Sequence, residues 1–277
     1  MLRIDAHQHF WHYDPVRDSW ITEEMTVIRR DFLPDDLQPI LQQNNFDGCV
    51  VVQADQSEKE NKYLLAYAEQ YDFVKGVVGW ADFFSNQIES QLENLRQYKK
   101  LKGFRTVLQG ATPSDLMLLP TFRNGISKLS QFNFTYDILI YADQLKYIPA
   151  FVLAFPNQLF VIDHLAKPNI YKRDINSWAA EMQAVAQFEN VYLKISGLVT
   201  EADWHNWRTE DFGPYLDVAV NAFGPNRIMF GSDWPVCLVA GKYEAMLGIV
   251  QEYFAAFSSE EQALFFGGNA TRFYNLT

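Results

Sequence analysis

Two of the five histidines in this 277-residue chain stand two positions apart near its start, as His7 and His9. On a β-strand, residues at positions i and i+2 point to the same face. The two imidazoles would therefore project together, as two ligands of one metal ion or two polar contacts to one substrate must. A pair of histidines with a purely structural role on an edge strand has the same spacing. The pair alone therefore does not indicate a function, and other residues of the chain must support it.

Two further polar residues end apolar runs. His164 follows the run LFVID at residues 159–163, and Asp233 follows IMFGS at residues 228–232. A histidine in this position could be a hydrogen-bonded core residue, and the aspartate could cap the next helix. An aspartate at the end of such a run also needs a polar partner. Both residues are therefore candidates for the same site as the histidine pair.

Eight short apolar runs predict strands, and segments with helical spacing of apolar residues lie between them. The predicted strands are residues 3–9, 48–55, 74–82, 101–108, 134–141, 159–164, 191–196 and 227–233. This alternation predicts a (β/α)₈ TIM barrel, an α/β fold, formed by residues 1–277 as a single domain. An open doubly wound sheet is the alternative, but no Gly-x-Gly-x-x-Gly follows the first strand. Residues 11–39 form the longest irregular stretch and are expected to cap the site.

Composition excludes several classes of protein. The net charge of -11 disfavours nucleic acid and anionic membranes as partners. The only cysteines are Cys49 and Cys237, so neither a disulfide framework nor a cysteine-based zinc site is expected. No secretion signal and no apolar stretch of membrane-spanning length are evident, which predicts a cytoplasmic protein. Aromatic residues make up 16% of the chain, which is compatible with a homodimer interface.

In a barrel of this kind the active site forms at the carboxyl ends of the strands. The polar and aromatic residues near those ends are candidates for substrate binding: Arg105, Trp11, Gln53, Trp80, Tyr141 and Trp234. Arg105 could equally form a salt bridge at the barrel mouth, and each tryptophan could equally pack in the core. These alternatives stay open at the level of sequence.

The motifs taken together resemble those of the amidohydrolase superfamily. The similarity is to its amidohydrolase-related branch of sugar-lactone hydrolases, which includes L-fuconolactonase-like and L-rhamnonolactonase-like enzymes. The matching segments are IDAHQHFW at residues 4–11, YDP at 13–15, DHLAKP at 163–168, KISGL at 194–198, FGSDWP at 230–235 and GNATRFY at 268–274. They span nearly the whole chain in the order of the family. The resemblance implies a (β/α)₈ barrel that hydrolyses a cyclic ester such as L-fuconolactone or L-rhamnonolactone.

The resemblance also implies that His7, His9, His164 and Asp233 form the catalytic site. Binuclear members of the superfamily carry a bridging lysine on strand 4 and a histidine on strand 5. This chain has GFRT at residues 103–106 and YAD at residues 141–143 instead, which argues against two metal ions. The expectation is one zinc ion held by His7, His9 and Asp233, with His164 as a further candidate ligand. Some related lactonases are thought to work without metal, so metal-independent activity stays open.

The expected mechanism uses Asp233 as the general base that takes a proton from water. The three histidines would polarise the lactone carbonyl, either directly or through zinc. One competing interpretation is a metal-dependent decarboxylase or hydratase of the same superfamily that acts on an aromatic or unsaturated acid. Another is a binding protein without activity. It is the weaker one, because every polar group that hydrolysis needs is present.

Overall fold

The computed structural model describes residues 1–277 and contains eight β-strands. They are β1 (Ile4–Gln8), β2 (Gly48–Val52), β3 (Val74–Gly79), β4 (Leu101–Val107), β5 (Thr135–Leu139), β6 (Phe160–Ile162), β7 (Val191–Ile195) and β8 (Ile228–Phe230). All eight predicted strands are present, and each ends earlier than predicted. The residues left over at the carboxyl ends include His9, His164 and Asp233, which lie beyond the strands in the loops of the barrel mouth.

The strands form one parallel sheet in the order β1 to β8. An isolated parallel bridge between Gln8 and Trp234 joins its two edges. The Asp233 N–H donates to the His7 carbonyl at 2.8 Å, and the His9 N–H donates to the Trp234 carbonyl at 2.7 Å. The sheet therefore closes into a (β/α)₈ barrel, which confirms the predicted fold. The closure lies at the two segments that carry the candidate catalytic residues.

Ten α-helices surround the barrel or follow it in the chain. They are α1 (Pro34–Gln43), α2 (Glu58–Gln70), α3 (Ile88–Leu95), α4 (Pro120–Ile126), α5 (Ile148–Val152), α6 (Asn176–Val185), α7 (Gly213–Phe223), α8 (Tyr243–Phe254), α9 (Ser259–Ala263) and α10 (Asn269–Phe273). No helix combines the length and the hydropathy that a membrane-spanning segment needs.

The stretch predicted to be irregular, residues 11–39, is shorter than expected. Helix α1 begins inside it, at Pro34, because proline fits the first helical position and the Asp36 carboxylate accepts the Leu33 N–H at 2.9 Å. The remainder, residues 11–33, is pinned by a two-residue antiparallel bridge between Trp11 and Phe32. Its 3₁₀ turn at Glu23–Ile28 packs against the turn at Val236–Val239 that follows β8. This loop therefore covers the β8 side of the barrel mouth.

The barrel interior is closed at its amino-terminal end by the last residues of the chain. Apolar side chains of β1, β2, β3, β6 and β8 form one cluster, and strands on opposite sides of a ring can meet only inside it. Phe273, Tyr274 and Leu276 belong to the same cluster. The Lys102 ammonium, near the start of β4, donates to the Asn275 carbonyl at 2.9 Å. The C-terminal segment thus plugs the bottom of the barrel.

Candidate active site

The first strand delivers both histidines of the pair to one place. The pairing of β1 with β2 shifts register between Asp5 and Gln8, and both His7 and His9 are buried. Their Nε2 atoms lie 3.3 Å apart. The His9 Nδ1 atom lies 2.7 Å from the Val52 carbonyl, which can only accept, so Nδ1 donates. A neutral His9 therefore keeps the lone pair on its Nε2 atom.

His164 reaches the same place through an unusual turn. Residues 164–167 all have positive φ values, between 52° and 56°, and none is glycine. Left-handed backbone costs roughly 1–2 kcal/mol per non-glycine residue, so the surrounding structure must hold this turn in place. Gly197 allows it, since a Cβ atom there would lie 2.7 Å from the His164 Nδ1 atom. The Ser196 hydroxyl lies 2.9 Å from that nitrogen and orients the ring.

Asp233 follows β8 and faces the three imidazoles. Its φ of 57° is also in the left-handed region. Its Oδ1 atom lies 3.4 Å from the His9 Nε2 atom and 3.9 Å from the Nε2 atoms of His7 and His164. Burial opposes ionisation, but the His164 and His9 imidazoles, when they carry an extra proton, outweigh it and hold the pKa of Asp233 below its ordinary value. The side chain is therefore a carboxylate at neutral pH.

The four side chains offer the nitrogen and oxygen ligands that zinc binds in proteins. Burial lowers the pKa of His7 and of His164 well below the ordinary value, so both rings are neutral at pH 7. Zinc–ligand bonds of about 2.0–2.1 Å at tetrahedral angles place the ligand atoms roughly 3.3–3.4 Å apart. The His7–His9 and His9–Asp233 separations, 3.3 and 3.4 Å, match this spacing. Ligand atoms of His7, His164 and Asp233 also lie within 4.8 Å of one another.

The same distances give an electrostatic reason for a cation. The His9 Nε2 lone pair and the Asp233 carboxylate oxygen are both acceptors, and they face each other at 3.4 Å, with the His7 Nε2 atom within 3.9 Å of both. Acceptors this close repel unless a proton or a positive ion lies between them. Part of that charge comes from the Arg105 guanidinium, whose Nη1 atom lies 3.3 Å from the His7 Nε2 atom.

A layer of buried charges supports His7 from below. Lys194 on β7 contacts Asp163 at 3.1 Å and forms an ion pair with Asp137 on β5. Arg105 on β4 contacts the second oxygen of Asp163 at 3.1 Å. The His7 Nδ1 atom lies 3.3 Å from Asp163 and 3.2 Å from the Lys194 ammonium. Two carboxylates, those of Asp137 and Asp163, thus face two cationic side chains, those of Lys194 and Arg105, inside the barrel. Buried charges need such partners of opposite sign.

The pKa values of the two acids in this layer, Asp163 and Asp137, are shifted in opposite directions. Burial opposes ionisation of Asp163, but Lys194 and His7 hold its pKa well below the ordinary value. For Asp137 burial is the stronger effect and raises the pKa to about 6, although Lys194 lowers it. The Tyr274 hydroxyl donates to both Asp137 oxygens, at 2.9 and 2.8 Å. The C-terminal plug is therefore hydrogen-bonded to the network beneath His7.

The residues predicted to bind substrate lie in three different environments. Arg105 and Gln53 are buried and bonded to each other: the Gln53 amide donates to the Arg105 carbonyl at 3.1 Å, and the guanidinium donates to the Gln53 carbonyl. Trp11 and Trp234 are both 1% exposed and pack around Phe32, with ring centroids 5.6 and 5.2 Å away.

The other two predicted substrate-binding residues are more accessible. Trp80 lies in a groove lined by side chains of α2 and α3, including Leu65 and Leu95. Tyr141 is 43% exposed directly after β5. Of the six predicted side chains, that of Arg105 comes within hydrogen-bonding distance of a histidine ring, that of His7, and the Trp11 ring centroid lies 6.4 Å from that of His9.

Sequence reasoning assigned no role to four residues that support the site. Asp137, Asp163 and Lys194 are fully buried charges within or just after apolar strands, and this pattern could have identified them. Asp5 is the fourth: one of its carboxylate oxygens accepts the His7 N–H at 3.1 Å and the Ser232 N–H at 2.9 Å. It therefore joins β1 to the segment that carries Asp233. No sequence signal indicates that contact, because it spans 227 residues.

Comparisons with known proteins agree with this arrangement. Residues 4–276 match the model of the Amidohydrolase family. An L-fucono-1,5-lactonase from Burkholderia multivorans is 36% identical, over 99% of this chain and 96% of its own length. An L-rhamnono-gamma-lactonase from Scheffersomyces stipitis is 25% identical, over 66% of this chain and 61% of its own. A crystal structure of a Burkholderia multivorans amidohydrolase with bound zinc has a TM-score of 0.96 and 35% identity, with both chains covered completely. The chain belongs to the amidohydrolase family.

Proposed function

We propose that this protein is a hydrolase that opens a sugar lactone, such as L-fuconolactone or L-rhamnonolactone, to the free acid. The observation that carries the proposal is the 36% sequence identity to an L-fucono-1,5-lactonase over nearly the full length of both chains. The structure of this chain also brings His7, His9, His164 and Asp233 together. We further propose that residues 1–277 act as one catalytic domain. A decarboxylase or hydratase is not favoured, because two relatives that are 35–36% identical over nearly their full length are named as lactonases.

The reaction needs a base, stabilisation of the oxyanion and a proton for the leaving oxygen. Asp233, a carboxylate at neutral pH, accepts a proton from water as the water oxygen bonds to the lactone carbonyl carbon. The ring C–O bond then breaks, and the proton on Asp233 passes to the leaving alkoxide. The product is a hydroxy acid, and Asp233 returns to its starting state.

The histidines and the charges beneath them prepare this step. His9 is fixed by its hydrogen bond to Val52, and His164 by Ser196. We propose that His7, His9 and Asp233, with His164 as a further ligand, hold one zinc ion. When bound, zinc would supply Lewis-acid polarisation of the carbonyl. The Arg105 guanidinium beside His7 adds positive charge below the place where the oxyanion forms.

The test is proton release from a panel of aldonolactones with purified protein. We expect rapid turnover of a six-carbon deoxysugar lactone and at least a hundredfold loss of kcat in Asp233→Asn, a size typical of a lost catalytic base (~10²–10⁴). Asp72→Asn, which changes an exposed carboxylate in the turn before β3, is the matched control. Absence of catalysis across the panel, with or without zinc, would refute the function. Near-normal turnover by Asp233→Asn would refute the role of the base.

A further inference from the structure

A cavity lies at the opposite end of the barrel from the histidines. Its volume is about 460 Å³, within the range of small-molecule sites. The wall includes Leu101 and Lys102 at the start of β4, Thr135 at the start of β5 and Leu159 just before β6. The C-terminal plug forms another side. In a parallel barrel the amino-terminal ends of the strands are remote from the active site at their carboxyl ends.

The charge of this cavity contrasts with that of the molecule. Four cationic side chains line it, Arg96, Lys99, Lys102 and Arg272, and no Asp or Glu is among its 17 lining residues. The whole chain carries a net charge of -11. Only Arg96 forms an ion pair, with Glu93 at 3.1 Å, and both of those side chains are more than half exposed. An exposed pair of this kind neutralises little of the local potential.

Two of the other three cations are held by uncharged groups. Lys102 donates to the Asn275 carbonyl at 2.9 Å, and Arg272 donates to the Asn269 side-chain oxygen at 3.2 Å. Both bonds fix the cations without neutralising them. Like charges gathered around one concave wall repel one another, and a concave site with low-dielectric walls focuses their field. An anion in the cavity would relieve that repulsion.

Neutral groups complete a surface that suits an organic ligand. Side chains with hydrogen-bonding amides, Asn133 and Asn157, line the cavity, as does Tyr98, whose side chain is 40% exposed. Arginine offers paired donors that match phosphate or carboxylate oxygens, and lysine adds a point charge. The combination fits a compact ligand with two or more clustered negative charges and a hydroxylated or apolar remainder.

We propose that this basic cavity at the amino-terminal end of the barrel is a second binding site, for a small polyanion that carries phosphate or several carboxylates. The site is separate from the histidine cluster and does not depend on the lactone chemistry. Its occupant would contact Tyr274 and Asn275 of the C-terminal plug, which line the cavity.

Isothermal titration with pyrophosphate and with citrate tests the proposal and separates phosphate from carboxylate chemistry. The variant Lys99→Gln with Arg272→Gln removes two cations from the cavity. The matched control, Lys172→Gln with Arg208→Gln, removes two exposed cations from the loops that follow β6 and β7 and leaves the same net charge. Circular dichroism and thermal unfolding verify that both variants fold.

We expect one saturable site for at least one of the two anions in the wild type and in the control. In the cavity variant Kd should rise about tenfold or more, the change expected on losing two charge-assisted contacts. Affinity should also fall as ionic strength rises. Absence of saturable binding at millimolar anion would overturn the proposal. Equal affinity in the cavity variant would also overturn it, because the anion would then bind elsewhere, including at the histidine cluster. This experiment does not measure lactone turnover. A negative result would therefore overturn the second binding site and leave the proposed lactonase function untouched.

Discussion

The protonation state of His164 controls how this residue can act. Its ring is 4% exposed and lies 3.9 Å from Asp233, with Ser196 at its other nitrogen. Burial penalises the imidazolium more than the nearby carboxylate stabilises it, so the pKa falls well below the ordinary value of 6.5. The neutral ring keeps a lone pair that can bind a metal ion or accept a hydrogen bond. Burial is also the main effect that lowers the pKa of His7.

This shift predicts the pH dependence of hydrolysis. The neutral form of a histidine is present above its pKa and is lost as pH falls through it, so a lowered pKa extends activity toward acid. The low pKa of Asp233 acts in the same direction. We expect kcat/KM for an uncharged lactone to stay level through pH 6.5 when measured from about pH 5 to 8, after subtraction of spontaneous hydrolysis. A half-maximal loss at pH 6.5 would contradict this explanation.

At the scale of single residues, the sequence predicted the four side chains that converge but not the charges beneath them. His7 and His9 share a strand, and His164 and Asp233 end strands, so parallel-barrel geometry is enough to predict that they meet. The ion pairs of Lys194 depend on which strands face one another across the barrel and at what height. A single sequence does not contain that information.

At the scale of elements, the C-terminal segment connects the bottom of the barrel to the active site. Tyr274 is 1% exposed and donates to Asp137, which pairs with Lys194, which in turn lies 3.2 Å from the His7 Nδ1 atom. Each step is a hydrogen bond or ion pair between buried groups, where the low dielectric strengthens it. The plug therefore positions His7 through two intermediate side chains.

The variant Tyr274→Phe tests this connection. It keeps the ring in the plug and removes the hydroxyl, so Asp137 loses a donor and its carboxylate becomes less favourable. We expect kcat to fall roughly threefold to tenfold with KM nearly unchanged, and stability to fall by about 1 kcal/mol. Tyr192→Phe is the control, because Tyr192 packs against Phe273 of the same segment, with ring centroids 4.9 Å apart. Equal loss of kcat in both variants would assign the effect to packing.

The helices and strands also show where sequence patterns stop being informative. Apolar residues repeat at helical spacing in the segments that form α2, α3, α4, α5, α6 and α8, and this spacing predicts a helix in each. Helix α1 was included in an irregular stretch, because Pro34 and Pro39 obscure its pattern, although Pro34 is its first residue. The left-handed turn at residues 164–167 could not be predicted, since non-glycine residues rarely adopt it without tertiary support.

At the scale of the whole molecule, the polar cluster sits at the seam where the barrel closes. The backbone of His7 and His9 pairs with the segment of Asp233 and Trp234, and Asp5 adds a further bond across the same seam. A metal ion shared by His7, His9 and Asp233 would therefore link the first strand to the end of the last. Such a ligand binds the folded chain and not the unfolded one, so it must raise the stability of the whole barrel.

Thermal unfolding of chelator-treated protein with and without zinc measures this linkage. A ligand at one hundred times its Kd adds about 2.7 kcal/mol, which for a chain of this size corresponds to a rise in Tm of roughly 5–10 °C. We expect that rise in the wild type and in His205→Asn, which changes an exposed histidine. We expect its loss in His9→Asn and in His7→Asn, together with loss of zinc by elemental analysis and of most of the activity. An unchanged Tm in wild-type protein on zinc addition would show that the cluster does not hold this metal. Asp233 and the histidines would then have to catalyse hydrolysis without it, by direct hydrogen bonding to the lactone carbonyl.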